Sequence, residues 1–452
     1  MTHTRQFIVP PYLLRNLAAS AEPAVAQTAR RTLLADNTFR ADRGGLRPVT
    51  ARPAAISVQS VVRREISSAD NTEVLPGTVV RREGDEPTGD QAADEAYDGF
   101  GATWALFHEV YGRDSIDGAG MLLLGTVHFG ELYDNAFWDG NRMVFGDGDG
   151  QVFGRFTASL EVIGHELAHG VTERTAGLVY SGQPGALNEH ISDVFGVLVK
   201  QRQLGQSAAE ADWLIGADLL LPGVAGVALR SMIAPGTAYD DPRLGKDPQP
   251  DHMDRFVVTD DDHGGVHINS GIPNRAFVHA AQAIGGEAWG AAGQVWFDVL
   301  TGGKLSSRAD FATFAALTVE AAAARFGADS AQHAAVVAGW REVGVTAAVA
   351  GERAPETPRP GDAELVLRRT GGVAGMVRER RTSLDDLPAE DARGWSSLLT
   401  SDALRARAVQ PPIPDGFCYH VSCQTHALDV TVAEQELTSK ERRLFQRTLL
   451  GG

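Results

Sequence analysis

Cysteine is almost missing from this chain of 452 residues: only Cys418 and Cys423 occur, five positions apart near the C-terminus. That excludes a disulfide-stapled scaffold, and the odd spacing puts the pair on opposite faces of any single strand. Long apolar runs are missing too. No stretch reaches the roughly 18–20 residues of a membrane helix, so no spanning segment is expected. Basic charge is in deficit: 41 Lys and Arg face 58 Asp and Glu, a net charge of −17. Such a chain repels nucleic acid and anionic membranes, and neither is expected as a partner. The first twenty residues lack an apolar run of roughly 7–15, and Pro10-Pro11 interrupts their one hydrophobic patch, so no cleavable signal peptide is read there. Secretion by another route is expected, with the cytoplasm as the alternative.

What is present, 43% apolar and 22% charged residues, describes a globular chain long enough for about two to four domains. Its charge is uneven: residues 1–57 carry +5, residues 58–350 carry −21 and residues 351–452 carry −1. Residues 1–57 read as an accessory head, with an extended, proline-fixed entry and a helix over Ala24 to Leu34. From 58 to 152, β-branched runs at 73–80 and 121–128 alternate with Gly, Asp and Asn turns, which predicts strands, with one helix near 94–111. Ala-rich periodicity then predicts helices over 158–173, 185–202, 273–284, 291–301, 308–326 and 329–342. Residues 351–361 hold three prolines and two glycines, a linker composition. Beyond it, strands near 364–369, 376–381, 417–422 and 427–432 and helices near 387–400 and 434–449 predict a separate small domain. The expected class is α+β: a β-rich lobe over 58–175, a helical lobe over 176–350 and an α+β domain over 362–452.

The segment Glu161-Val-Ile-Gly-His165-Glu166-Leu-Ala-His169 lies within helical spacing. Residues four apart share a helix face, so His165 and His169 present two imidazoles to one ion while Glu166 leans toward a water on it. Twenty residues on, Glu189 supplies a third ligand type. Asp193, one turn later, suits hydrogen bonding to the outer nitrogen of a ligating His, and Asn188 is placed in the same supporting shell. His190 points about 100° from Glu189 and reads as a packing or surface histidine. Two nitrogens and one oxygen leave a zinc position open, which marks a catalytic site. Glu166 then suits general acid–base work. His267, five residues after Asp262 and following Gly264-Gly265, suits a donor to a developing oxyanion, with Asp262 orienting it and Tyr180 as a second donor.

These residues sit in HELAHGVTERTAGLVYSGQPGALNEHISDVFG, with YDNAFWDGNRMVFGDGDG at 133–150 and DHGGVHINSG at 262–271. Over about residues 60–348 the chain resembles the thermolysin family of zinc endopeptidases. The resemblance implies a two-lobed metallopeptidase with zinc on His165, His169 and Glu189, Glu166 as base, and Tyr180, His267 and Asp262 in the oxyanion roles. It also implies substrate backbone held along an edge strand by Asn135, Ala136 and Trp138, and contacted by Arg230. The implied specificity pocket is Phe153, Phe156, Val162 and Leu229, all apolar, so polypeptides would be cut before bulky hydrophobic residues.

Where much of the family places calcium-binding acids, this chain has Lys200, Leu214 and Ala217 and keeps Glu161, Asp212 and Asp218; a calcium ion is therefore not expected. Phe7-Ile-Val-Pro-Pro-Tyr-Leu-Leu14 resembles the short propeptide of protealysin-like members. It implies that residues 1–57 are a removable inhibitory segment at the active site, cleaved near 50–60 before Ile56, Val58 or Val61. The tail, from Ala363 through Pro414-Asp-Gly-Phe-Cys-Tyr419 to Leu450, resembles emfourin, an inhibitor of protealysin-like peptidases, and would act on the same site. Two alternatives remain: a catalytically silent binder with this fold, and a tail that targets or binds instead of inhibiting.

Overall fold

The β-branched and aromatic segments of the first 150 residues gather into one mixed sheet in the computed structural model of the chain. The structure describes residues 6–41, 61–346, 364–370, 378–383, 387–400, 404, 407, 417–423 and 428–450. It divides into two compact units, Met1–Ala350 and Gly351–Gly452. The expected propeptide cleavage region over 50–60 and the linker over 351–361 lie outside the described residues.

The sheet consists of β1 (Gln6–Phe7), β2 (Arg64–Ser68), β3 (Thr78–Arg82), β4 (Leu123–Val127), β5 (Ala136–Trp138) and β6 (Met143–Phe145), in the order β1-β5-β6-β4-β2-β3. The β2–β4 and β4–β6 pairs are parallel, the others antiparallel. An edge strand is a template for further pairing, and β1 from the chain's N-terminal segment uses the edge of β5.

The proline-fixed entry is extended for less of its length than the sequence suggested. Helix α1 (Pro11–Ala18) begins at Pro11 itself, because at the first helical position proline's missing N–H costs nothing and its φ is already helical. The next helix, α2 (Pro23–Ala41), runs past the expected end at Leu34. Thr28, Thr32 and Asp36, four apart, are all buried on one of its faces, and a polar buried face escapes a reading based on apolar periodicity. α3 (Gln91–Ala105) is capped by the Asp90 side chain, which accepts from the Ala93 N–H, and continues as a π-turn over Leu106–Val110.

The site is built on two long helices, α4 (Leu160–Glu173) and α5 (Gly182–Leu204). They touch where a Cβ on Gly196 would lie 2.4 Å from the Glu161 carbonyl oxygen, so only glycine admits this approach. Two short hairpins follow, β7 (Leu214–Ile215) with β8 (Arg230–Ser231) and β9 (Asp240–Asp241) with β10 (Gly245–Lys246). The remaining helices are α6 (Asp262–Asn269), α7 (Gly271–Ile284), α8 (Ala291–Thr301), α9 (Phe311–Phe326) and α10 (Ala331–Glu342). Their core is aromatic: Trp296 stacks on Trp340 at 6.2 Å and meets Phe277 and Phe314 edge-on.

The second unit is a four-stranded antiparallel sheet, β11 (Glu364–Thr370), β12 (Arg378–Ser383), β13 (Cys418–Cys423) and β14 (Leu428–Ala433), in the order β12-β11-β13-β14. Helices α11 (Ala389–Thr400) and α12 (Ser439–Leu450) complete it. Its core centres on Trp395, which stacks on Phe445 at 4.6 Å and donates to Thr448 Oγ1. Cys418 and Cys423 close the two ends of β13, both buried.

Candidate active site

Helices α4 and α5 bring His165, His169 and Glu189 together, with one donor atom from each lying within 4.8 Å of the others. All three side chains are fully buried. His165 Nδ1 donates to Asp193 Oδ1 at 2.8 Å, and His169 Nδ1 to Asn188 Oδ1 at 2.8 Å. Both partners are acceptors there, so each Nδ1 carries the proton and each Nε2 presents a lone pair inward. Those lone pairs, with Glu189 Oε2, have no hydrogen-bond partner among the described residues. Buried polar atoms left without a partner cost free energy. Two imidazoles and a carboxylate with their lone pairs converging therefore fit a divalent ion, and the N₂O donor set fits zinc. Burial drives the His169 pKa down to about 3, which keeps it neutral. Burial also works to raise Glu189, but the facing positive charges, His267 first, outweigh it and hold the carboxyl below its ordinary value.

Glu166 is buried beside this group; its Oε2 accepts from the Trp138 N–H at 3.1 Å and its Oε1 has no hydrogen-bond partner among the described residues. Burial and the charge of Glu189 push its carboxyl well above the usual range, as suits a group that takes up and returns a proton. Tyr180 donates its hydroxyl to Glu189 Oε1 and lies 3.3 Å from His267 Nε2. Asp262 grips His267 twice, accepting from its backbone N–H at 2.8 Å and from Nδ1 at 2.6 Å. The grip needs a tight turn: His263, Gly264 and Gly265 all have φ between 53° and 86°, a region where glycine is the low-cost residue. Burial opposes a charge on His267, yet Asp262 and Glu189 overcome it and raise its pKa.

Asp193 joins His165 to Arg230 and Asn274. Its carboxylate accepts from His165, from Arg230 Nε at 3.0 Å and Nη2 at 2.8 Å, and from Asn274 Nδ2 at 2.8 Å. Burial works against its ionisation, and Arg230 and His165 overcome it. Phe153, Phe156, Val162 and Leu229 are all buried, within the main hydrophobic core of the first unit. The N-terminal segment lies along β5: β1 pairs with Phe137 and Trp138, and Asn135, just before that strand, accepts from the Val9 N–H at 2.9 Å. Asn135 Nδ2 also donates to Asp36 Oδ2 of α2 at 3.0 Å.

Residues 54–173 match the family described as thermolysin metallopeptidase, catalytic domain, and residues 176–345 match its alpha-helical domain. Over 342 residues the chain is 48% identical to an extracellular metalloprotease of Pectobacterium carotovorum, covering 75% of this chain and 96% of that protein. This chain is a zinc metalloendopeptidase of the thermolysin family. It is 46% identical over 346 residues to protease PrtS of Photorhabdus, covering 75% and 91% of the two proteins. Among solved structures, the precursor of protealysin, a metalloproteinase from Serratia proteamaculans, matches with a TM-score of 0.69 at 49% identity, covering 75% of this chain and all of that one. The thermolysin-family chain is thus protealysin-like, and residues 367–449 add an emfourin domain.

In this thermolysin-like enzyme Lys200 Nζ lies 3.0 Å from Asp212 and 3.6 Å from Glu161. Burial works to lower its pKa, and Glu161 and Asp212 outweigh that and raise it. Leu214 and Ala217 stand in and just after β7, and Asp218 is exposed. Three residues of the site were not anticipated. Ser192 Oγ lies 2.9 Å from His169 Nδ1, Asn274 supports Asp193, and Asp36 reaches Asn135. Ser192 carried a legible signal, since it sits four positions after Asn188 on the same face of α5. His190 is a buried packing residue, donating from Nδ1 to Asn274 Oδ1 and accepting from the Trp296 indole at 2.7 Å.

Proposed function

We propose that this enzyme is made as a zymogen and cuts internal peptide bonds before bulky hydrophobic residues. His165, His169 and Glu189 would hold zinc, with Asp193 and Asn188 fixing the two imidazoles. A zinc ion held there supplies Lewis-acid activation of a water molecule and of the peptide carbonyl. Glu166 takes the proton of the attacking water and returns it to the leaving nitrogen. His267, oriented by Asp262, and Tyr180 donate to the carbonyl oxygen as it gains charge. Asn135, Ala136 and Trp138 hold the substrate backbone along β5, and Arg230 donates to a carbonyl beyond the cut. The apolar walls of Phe153, Phe156, Val162 and Leu229 favour a large side chain there by about 1.5–3 kcal/mol. The observation that carries this reading is the set of three buried, inward lone pairs without hydrogen-bond partners among the described residues.

The segment lying in the groove of β5 supports an inhibitory propeptide, removed by cleavage near residues 50–60. Lys200 between Glu161 and Asp212 supports stability without calcium. The emfourin match supports a tail that inhibits the same enzyme; as a tethered ligand it faces an effective concentration on the order of millimolar. A tail that targets or binds a partner is the second reading. Relatives named extracellular support secretion for this chain as well.

The test is zinc analysis with digestion of a denatured protein, with and without chelator, and sequencing of the product ends. One zinc per chain, chelator-sensitive cleavage and new N-termini at Leu, Phe, Ile or Val are expected. A metal-free protein that still digests sinks the reading. For the tail, residues 1–350 produced alone should show higher mature activity than the full chain, and equal activity per molecule rejects inhibition.

A further inference from the structure

The N-terminal segment does more than fill the groove, because four polar groups of its backbone, from the Phe7 carbonyl to the Val9 N–H, each meet a particular atom of the site. The Phe7 carbonyl oxygen lies 3.0 Å from His267 Nε2. The Ile8 N–H donates to the Ala136 carbonyl at 3.1 Å, and the Ile8 carbonyl accepts from Arg230 Nη1 at 3.2 Å. The Val9 N–H donates to Asn135 Oδ1 at 2.9 Å. The strand runs antiparallel to β5, with Phe7 opposite Phe137 and its ring 5.1 Å away. Ile8 is fully buried in the main hydrophobic core of this unit. Phe7 thus offers its carbonyl to the oxyanion donor, and Ile8 is the residue whose carbonyl Arg230 holds.

We propose that Phe7–Ile8 is a self-cleavage site, a bond of the propeptide held in productive register and hydrolysed by the enzyme that it covers. The inference rests on the catalytic roles proposed above. A water oxygen adds to the Phe7 carbonyl carbon as Glu166 accepts its proton. The carbon–nitrogen bond then breaks, the proton passes to the Ile8 nitrogen, and the products are a peptide ending in a Phe7 carboxylate and a chain beginning at Ile8.

This cut does not free the site. Beyond Ile8 the segment is anchored by Val9 on Asn135, by Asn16 Nδ2 donating to the Leu244 carbonyl, and by Asp36 accepting from Tyr133 and Asn135. Leu13, Leu14 and Leu17 are buried as well. The peptide ending at Phe7 leaves, while the new end at Ile8 stays in the groove as a bound product. Activity then requires a second cut beyond residue 41.

Two measurements on the full chain test the proposal. In zinc-loaded wild type, intact mass should reveal a species beginning at Ile8 that forms at a rate independent of protein concentration, lacks activity on a denatured protein, and never forms in Glu166→Gln. In metal-free Glu166→Gln, which needs no turnover, the Ile8 and Val9 amides should exchange hydrogen about a hundredfold or more slower than in an unfolded chain. Fast exchange at both amides overturns the register. A wild-type protein that gains activity through a cut beyond residue 41, with residues 1–7 still joined to Ile8 in the released propeptide, overturns the cleavage site and leaves the catalytic roles standing. A loaded protein inert even after its propeptide is removed overturns those roles as well.

Discussion

The same pair of helices buries two sets of charges and treats them in opposite ways. At one end, Glu161 of α4 faces Lys200 of α5, and the chain supplies its own cation. One turn further along α4, His165 and His169 face Glu189, and their inner lone pairs find no partner among the described residues. Burying charges is costly unless they are paired: the first set has a counter-charge from the chain's own Lys200, although Glu161 Oε2 makes no hydrogen bond among the described residues, while the second has no cation of its own and calls for an ion from outside. A third arrangement lies at the surface, where His128 donates to both Asp147 and Asp90 at 2.8 Å. The difference shows how dependence on metal is assigned locally, by whether a lysine or histidine reaches the carboxylates or stops short.

The contrast breaks most completely at the second set. His165→Ala or Glu189→Ala should abolish stoichiometric zinc and with it all measurable peptidase activity. Glu166→Gln should keep its zinc and lose about 10²–10⁴-fold in turnover, which elemental analysis beside an activity assay would separate. Asp193→Ala should be next in size. It strips a partner from His165 and strands the buried Arg230, so zinc affinity should fall about 10–100-fold and stability by about 3–5 kcal/mol, read by chelator competition and denaturant titration.

At the first set the effects should be smaller. Calcium-selective chelation should leave the Tm of the wild type unchanged, because Lys200 already brings a positive charge to Glu161 and Asp212. Lys200→Met should lower stability by up to about 3 kcal/mol, softened because burial has already raised the Glu161 pKa and lets it protonate. Lys200→Glu should convert this end to calcium-dependent stability, and a Tm indifferent to calcium in that variant would reject the comparison.

The smallest effect belongs to His128. Hydrogen bonding to Asp147 leads the causes that raise its pKa to about 9. A raised histidine pKa contributes stability that is fully present below about pH 6.5 and is lost as pH rises through about 9. Wild type should therefore exceed His128→Gln in Tm at pH 6, and the two melting curves should converge above pH 9. The margin is modest because solvent screens the site.

Much of the centre was legible because it is local. His165 with His169, and Glu189 with Asp193, are each four positions apart, and helical geometry turns that spacing into a shared face. Helix positions from α4 onward, except the short glycine-bearing α6, followed from apolar periodicity for the same reason. Polar burial was harder to read: the Thr28, Thr32 and Asp36 face of α2 carries no apolar signature.

The order of residues by itself determined which groups could serve as ligands, base and oxyanion donors, since those depend on side-chain chemistry and on spacing within single helices. Only the tertiary structure decided that Arg230 reaches Asp193 and the Ile8 carbonyl from 37 and 222 positions away, and that Phe7 meets His267 from 260 positions away. Contacts at such separations carry no periodic trace, because they exist only once the sheet, the helix pair and the entering segment have closed on one another.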